Sequence, residues 1–88
     1  LLARSDAGVL QPRRLPTDLT VLAAAAAARA AAFAATRAVR VVVAPGEGRT
    51  VAAVDPTLLG RALDNLVDNA VRASPAGGVV EVQVRGDA

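Results

Sequence analysis

Asn65, Asn69 and Arg72 are spaced to act together. Gaps of four and then three residues put them in one row if the chain is helical there. An Asn carbonyl oxygen is a neutral, hard ligand. It suits a Mg²⁺ ion that keeps several waters and takes its other ligands from phosphates. A guanidinium one turn further on can pair with phosphate oxygens. The row therefore suits a Mg-nucleotide met by helix side chains rather than by a glycine loop. A merely solvated helix face is the plainer alternative, and spacing alone leaves both open.

The element that must hold this row is Asp55 to Ser74, DPTLLGRALDNLVDNAVRAS. Asp55 can cap free N–H groups, and Pro56 suits the first helical position because its missing donor would have no partner there. At about 100° per residue, Leu59, Leu63, Leu66, Val67 and Ala70 fall on one side. That side is an apolar core stripe. Arg61, Asn65, Asp68, Asn69 and Arg72 fall on the other.

The remaining elements follow from local pattern. Leu1 to Ala7 reads as a helix end stopped at Gly8, and Val9 to Thr17, with Pro12 and Pro16, as a linker running into an extended piece near Arg14 and Leu15. Asp18 opens an Ala-rich helix over about Leu19 to Arg37, with Leu19, Leu22, Ala26, Ala30 and Phe33 as its packing stripe. The β-branched run Val39 to Ala44 and the stretch Thr50 to Val54 read as strands. With Pro45 to Gly48 as a turn between them, they are expected to form a hairpin. Gly46 and Gly48 are not a phosphate loop, since no Lys-Ser/Thr follows and no helix starts there. Pro75 to Gly78 is a turn, and Val79 to Val84 alternates as a strand with one wet face. The expected fold is α/β: a two-layer sandwich with both main helices on one face of a mixed β-sheet.

Composition removes several function classes. The chain has 88 residues, no Cys and no His, so thiolate metal sites, an imidazole base and phospho-histidine chemistry on this chain are excluded. The pI of about 11.0 comes with a formal net charge of only +2. All ten basic residues are Arg, and Lys and Tyr are absent, so little titrates between the carboxylates and the guanidinium groups. The Arg residues are scattered and Phe33 is the sole aromatic, so a nucleic-acid surface with stacking platforms is not expected. Leu19 to Thr36 is apolar by count, but it is mostly Ala and Arg29 interrupts it, so no transmembrane span is expected. The chain starts Leu-Leu-Ala-Arg without Met and reads as a piece of a longer protein.

Asp55-Pro56-x-x-Leu59, Ala62-Leu63-x-Asn65-Leu66-Val67-x-Asn69-Ala70-x-Arg72 and Ser74-Pro75-x-Gly77-Gly78 together resemble the N-box helix region of sensor histidine kinases. That family belongs to the superfamily of ATPases that includes gyrase, Hsp90 and MutL. The order of elements is similar as well, and the run LLARSDAG resembles the end of a dimerisation hairpin. The resemblance implies an incomplete Bergerat-type ATP-binding fold. Residues 1–13 would be the end of the dimerisation hairpin and its linker, and 14–88 the N-terminal portion of the ATP-binding domain.

It also implies roles. Asn69 matches the Asn that coordinates Mg²⁺ bridging the ATP phosphates, Asn65 the upstream polar residue of that site, and Arg72 the basic residue facing the phosphates. Hydrolysing relatives carry Glu where this chain has Asn65. A carboxamide is not a useful proton acceptor at neutral pH, so Asn65 favours phosphoryl transfer over hydrolysis. Ala73 departs from the family, which often has an aromatic or His there. The sequence holds no Asp-x-Gly-x-Gly segment, which the family uses to read adenine.

The expected parent is thus a two-component sensor kinase that uses ATP and Mg²⁺. It would phosphorylate a His outside this chain, act on a response regulator, and dimerise through upstream helices. The domain would be cytoplasmic, with many relatives membrane-anchored. The alternatives are an anti-sigma-factor Ser kinase and a degenerate, non-catalytic interaction module.

Overall fold

The computed structural model describes residues 13–87. The readings of Leu1 to Ala7 as a helix end, of Gly8 as its stop and of Val9 to Pro12 as linker lie outside them, as does the dimerisation-hairpin resemblance of LLARSDAG. The elements are β1 (Leu15–Asp18), α1 (Leu19–Thr36), β2 (Arg40–Val43), β3 (Val51–Val54), α2 (Pro56–Ala73) and β4 (Val79–Val82). The expected α/β sandwich is present, with two helices packed on each other and against small sheets.

Both helices start where an Asp can accept backbone N–H groups. Asp18 accepts from the Thr20 amide at 3.0 Å, and Asp55 from Thr57 at 2.9 Å and Leu58 at 3.1 Å, with Pro56 just inside the helix. Bonds from the Thr20 hydroxyl and backbone hold the Asp18 carboxyl below its usual range. The Arg13 amide, then Leu58 and Thr57, do the same for Asp55. A carboxyl depressed in the folded state adds stability above its unfolded value, and this is lost as pH falls through the folded value. The melting temperature should hold steady over about pH 6 to 9 and fall below about pH 4. Replacing both residues by Asn, which still caps, should make the acid limb shallower. An unchanged acid limb in thermal scans would disprove the assignment.

α1 ends in a Schellman motif. The Val39 amide donates to Ala34 O at 3.0 Å and the Ala38 amide to Ala35 O at 3.1 Å. The left-handed position, usually Gly, is filled by Ala38 at φ 56°. A Cβ is unfavourable there. Ala38→Gly should therefore stabilise the chain by about 1 kcal/mol and raise its Tm by roughly 4–8 °C. A lower Tm would contradict the motif.

The strands pair otherwise than expected. β2 and β3 do not form a hairpin. β1 pairs antiparallel with β3, from Leu15 opposite Val54 to Asp18 opposite Val51. β2 pairs parallel with β4, from Arg40 opposite Val79 to Val43 opposite Val82. The mixture of strand directions is thus divided between an antiparallel and a parallel pair. A parallel pair needs a long crossover, and β3 with α2 supplies it. Parallel strands are normally covered on both faces, but here the helices cover one face of the pair, and Val43 and Val79 stay exposed. Ala26, Ala30 and Ala34 of α1, Val39 just before β2, Val67 and Val71 of α2, and Val80 of β4 form the core, with Phe33, Val41, Leu63, Ala70 and Val82 against it.

Residues 44–50 are therefore not a hairpin turn. They carry the chain from one sheet to the other and run beside the segment after β4. The Glu47 amide donates to Val84 O at 3.0 Å, Gly86 N–H to Glu47 O at 2.9 Å and Arg49 N–H to Asp87 O at 3.2 Å.

The stripes are also rotated from expectation. α1 buries Ala23, Ala26, Ala27, Ala30 and Ala34, while Leu19, Leu22 and Phe33 are half-buried. By length and composition α1 could cross a membrane, yet its inner face lies in the core and Arg29 is ion-paired to Asp64 of α2 at 2.9 Å. On α2, Val67 and Val71 are buried, whereas Leu66 is 64% exposed. Asp64, which belongs to no motif in the sequence, turns toward α1, where Arg29 pairs with it.

Candidate functional site

α2 has three differently occupied sides. Val67 and Val71 enter the core, Asp64 and Arg72 meet α1, and Asn65 and Asn69 remain on the exposed side. Among the described residues neither carboxamide has a hydrogen-bond partner within the protein, so both can serve a ligand. The adjacent apolar edge of α2 forms one wall of a groove of about 380 Å³. Leu63, Leu66, Val67 and Ala70 line that wall, and the segment from Val80 to Gln83 lines the other. Asn69 comes three residues after Leu66 and just before Ala70, so helix geometry sets it beside that wall. An apolar groove with a few polar groups at its side is the usual make-up of a small-molecule site.

Arg72 does not simply extend the Asn row. Its Cζ lies 5.0 Å from the centroid of the Phe33 ring, and the Arg37 Cζ lies 5.9 Å from the same centroid. Arg37 Nη2 also donates to the Arg72 carbonyl at 3.1 Å. The guanidinium is thus held on the α1 side by a cation–π contact, worth about 0.5–1 kcal/mol at an exposed position. Among the described residues Arg72 has no carboxylate within ion-pair distance, so its donors stay open to an anion. The helical row of Asn65, Asn69 and Arg72 does not disclose this arrangement. The spacing signals only the Arg37 contact, through Phe33 four residues before Arg37 at the end of α1.

The donor set fits Mg²⁺ bound through a phosphate-bearing ligand. Carboxamide oxygens are available, and no group of three or more acidic residues able to hold a metal unaided exists among the described residues. A second cleft, lined by Ala26, Arg29, Ala30, Asp64 and Asp68, has its Arg29 already neutralised by Asp64.

No protein-family model matches the chain, and no curated protein matches it in sequence. Among solved structures, the cytoplasmic segment of histidine kinase QseC is similar to it. The TM-score is 0.72 and 24% of residues are identical. The likeness covers 93% of this chain and 55% of that one, so the chain spans about half the length of this neighbour. At that identity the likeness establishes the architecture. The chain has the α/β fold found within the cytoplasmic segment of a histidine kinase.

Proposed function

We propose that this chain is the front part of the ATP-binding unit of a sensor histidine kinase, with α2 as one wall of the nucleotide site. The observation that carries the reading is the placement of Asn65 and Asn69 on one open side of α2, exposed and, among the described residues, without a hydrogen-bond partner, with Asn69 next to the Leu66 edge of the apolar groove. The fold likeness to a histidine kinase segment and the N-box resemblance of Asp55 to Gly78 support it.

In this reading Asn69 offers its carbonyl oxygen to Mg²⁺, and Asn65 adds a second neutral polar group without withdrawing a proton from water. Arg72 meets phosphate oxygens from its place over Phe33. Bound Mg²⁺ would neutralise charge on the ATP phosphates for transfer to a His outside this chain. The response regulator, the dimerisation through upstream helices and the cytoplasmic setting belong to the same proposal.

The test is a titration of the isotope-labelled 88-residue chain with ATP, followed by NMR with and without Mg²⁺. The Asn65 and Asn69 side-chain amides should shift only when Mg²⁺ is present, and Asn69→Ala should remove the Mg²⁺ dependence. Binding should be millimolar or weaker, because adenine-reading residues of the Asp-x-Gly-x-Gly type are absent from the sequence. Shifts that ignore Mg²⁺, or that survive Asn69→Ala, would refute the site. Micromolar affinity in calorimetry would refute its incompleteness.

A further inference from the structure

The Asp55 carboxylate serves two distant parts of the chain at once. Its Oδ1 accepts the Thr57 and Leu58 amides at 2.9 and 3.1 Å, closing the first turn of α2. Its Oδ2 accepts the Arg13 amide at 2.7 Å, across 42 residues of sequence. Arg14 then borders a cleft with Val54, Asp55, Leu58 and Leu59, and Leu15 pairs with Val54 directly before Asp55. Arg13 and Leu15 are thus fastened to the point where β3 becomes α2, with Arg14 beside it.

We infer that Asp55 is a latch, coupling the position of the chain entering at Arg13 to the rigidity of the first turn of α2. The logic is that of a shared acceptor. A carboxylate held by one oxygen is pre-oriented for the bonds made by the other, so losing the Arg13 amide loosens the cap and losing the cap frees Arg13. Such coupling is reciprocal by necessity. The helix so controlled carries Asn65, Asn69 and Arg72, and what a displacement before Arg13 does to a ligand rests on the nucleotide reading above. The latch itself does not, and it is tested without ATP.

Arg13→Pro removes the donor N–H and leaves Asp55 intact, whereas Arg13→Ala keeps the amide and serves as its control. Asp55→Ser keeps a good cap but has only one oxygen. Amide hydrogen exchange on the 88-residue chain reads the outcome. Arg13→Pro should speed exchange at Thr57 and Leu58 by about threefold or more over Arg13→Ala while leaving Val67 and Val71 unchanged. The effects of Arg13→Pro and Asp55→Ser on unfolding should also be non-additive, as expected for residues sharing one interaction. Wild-type exchange at Thr57 and Leu58 in Arg13→Pro, or additivity in the cycle, would overturn the latch. If Arg13→Pro fails to fold, exchange of the Arg13 amide in Asp55→Ser decides: faster exchange supports the latch and unchanged exchange sinks it.

Discussion

In the longer kinase that we propose contains this chain, Asn69→Ala should lower autophosphorylation by at least about 100-fold, the scale of losing a preorganised group that meets developing charge. Asn69 is exposed and makes no protein hydrogen bond among the described residues, so truncating it removes a ligand atom and little else. Thermal unfolding should be unchanged to within about 0.5 kcal/mol, as for other surface replacements. Radiolabelled phosphate incorporation measures the first quantity and calorimetry the second. Full phosphorylation would end the Mg²⁺ assignment. A collapse of stability would mean that Asn69 supports the fold instead. Arg72→Ala should be milder in activity but should also cost stability, because it strips the contact with Phe33.

The second large effect is structural. A Cβ placed on Gly86 would land on the Arg49 backbone carbonyl, and one on Gly48, where φ is +70°, would land on the Gly86 carbonyl. The two segments touch backbone to backbone, and backbone cannot swing aside as a side chain does. Gly86→Ala must therefore part them, losing the Gly86 to Glu47 and Arg49 to Asp87 hydrogen bonds. Overpacking and lost bonds together should cost about 3 kcal/mol, lowering the Tm by about 10 °C or more. Gly77→Ala is the useful contrast. Gly77 has φ +87° but open space around its Cα, so that variant should lose only about 1 kcal/mol. Equal losses in the two variants would show that close approach is not what Gly86 serves.

Local chemistry made much of this fold legible. Asp18, Asp55 and Pro56 mark helix starts within a residue, and the Val-rich runs mark strands, because caps and β-branched side chains act on their own few residues. Strand partners were not legible. Val41 and Val51 look alike as sequence, and only the α2 crossover pairs β2 with β4 instead of β3. The Ala-rich helix was legible as a helix but not in its orientation, since one Ala is as good as another until a partner touches it. For the candidate site, the sequence pattern placed Asn65 and Asn69 on an open side. It could not show that Leu66 would be exposed beside them, or that Arg72 would lean on Phe33 from another helix.

The alanines of α1 carry one more consequence, for how freely the chain can change. Ala23, Ala26, Ala30 and Ala34 lie in the interior, whereas Ala24, Ala28, Ala31 and Ala35 face outward. In composition the two sets are identical. Under substitution they are opposites, because an added methylene on the inner set has no room in a close-packed interior while the outer set meets only solvent. A drifting or redesigned sequence could rewrite the outer set with Glu, Lys or Gln at little expense to the helix. The inner set would stay alanine, so constraint that residue type hides would become visible as variation accumulates around it.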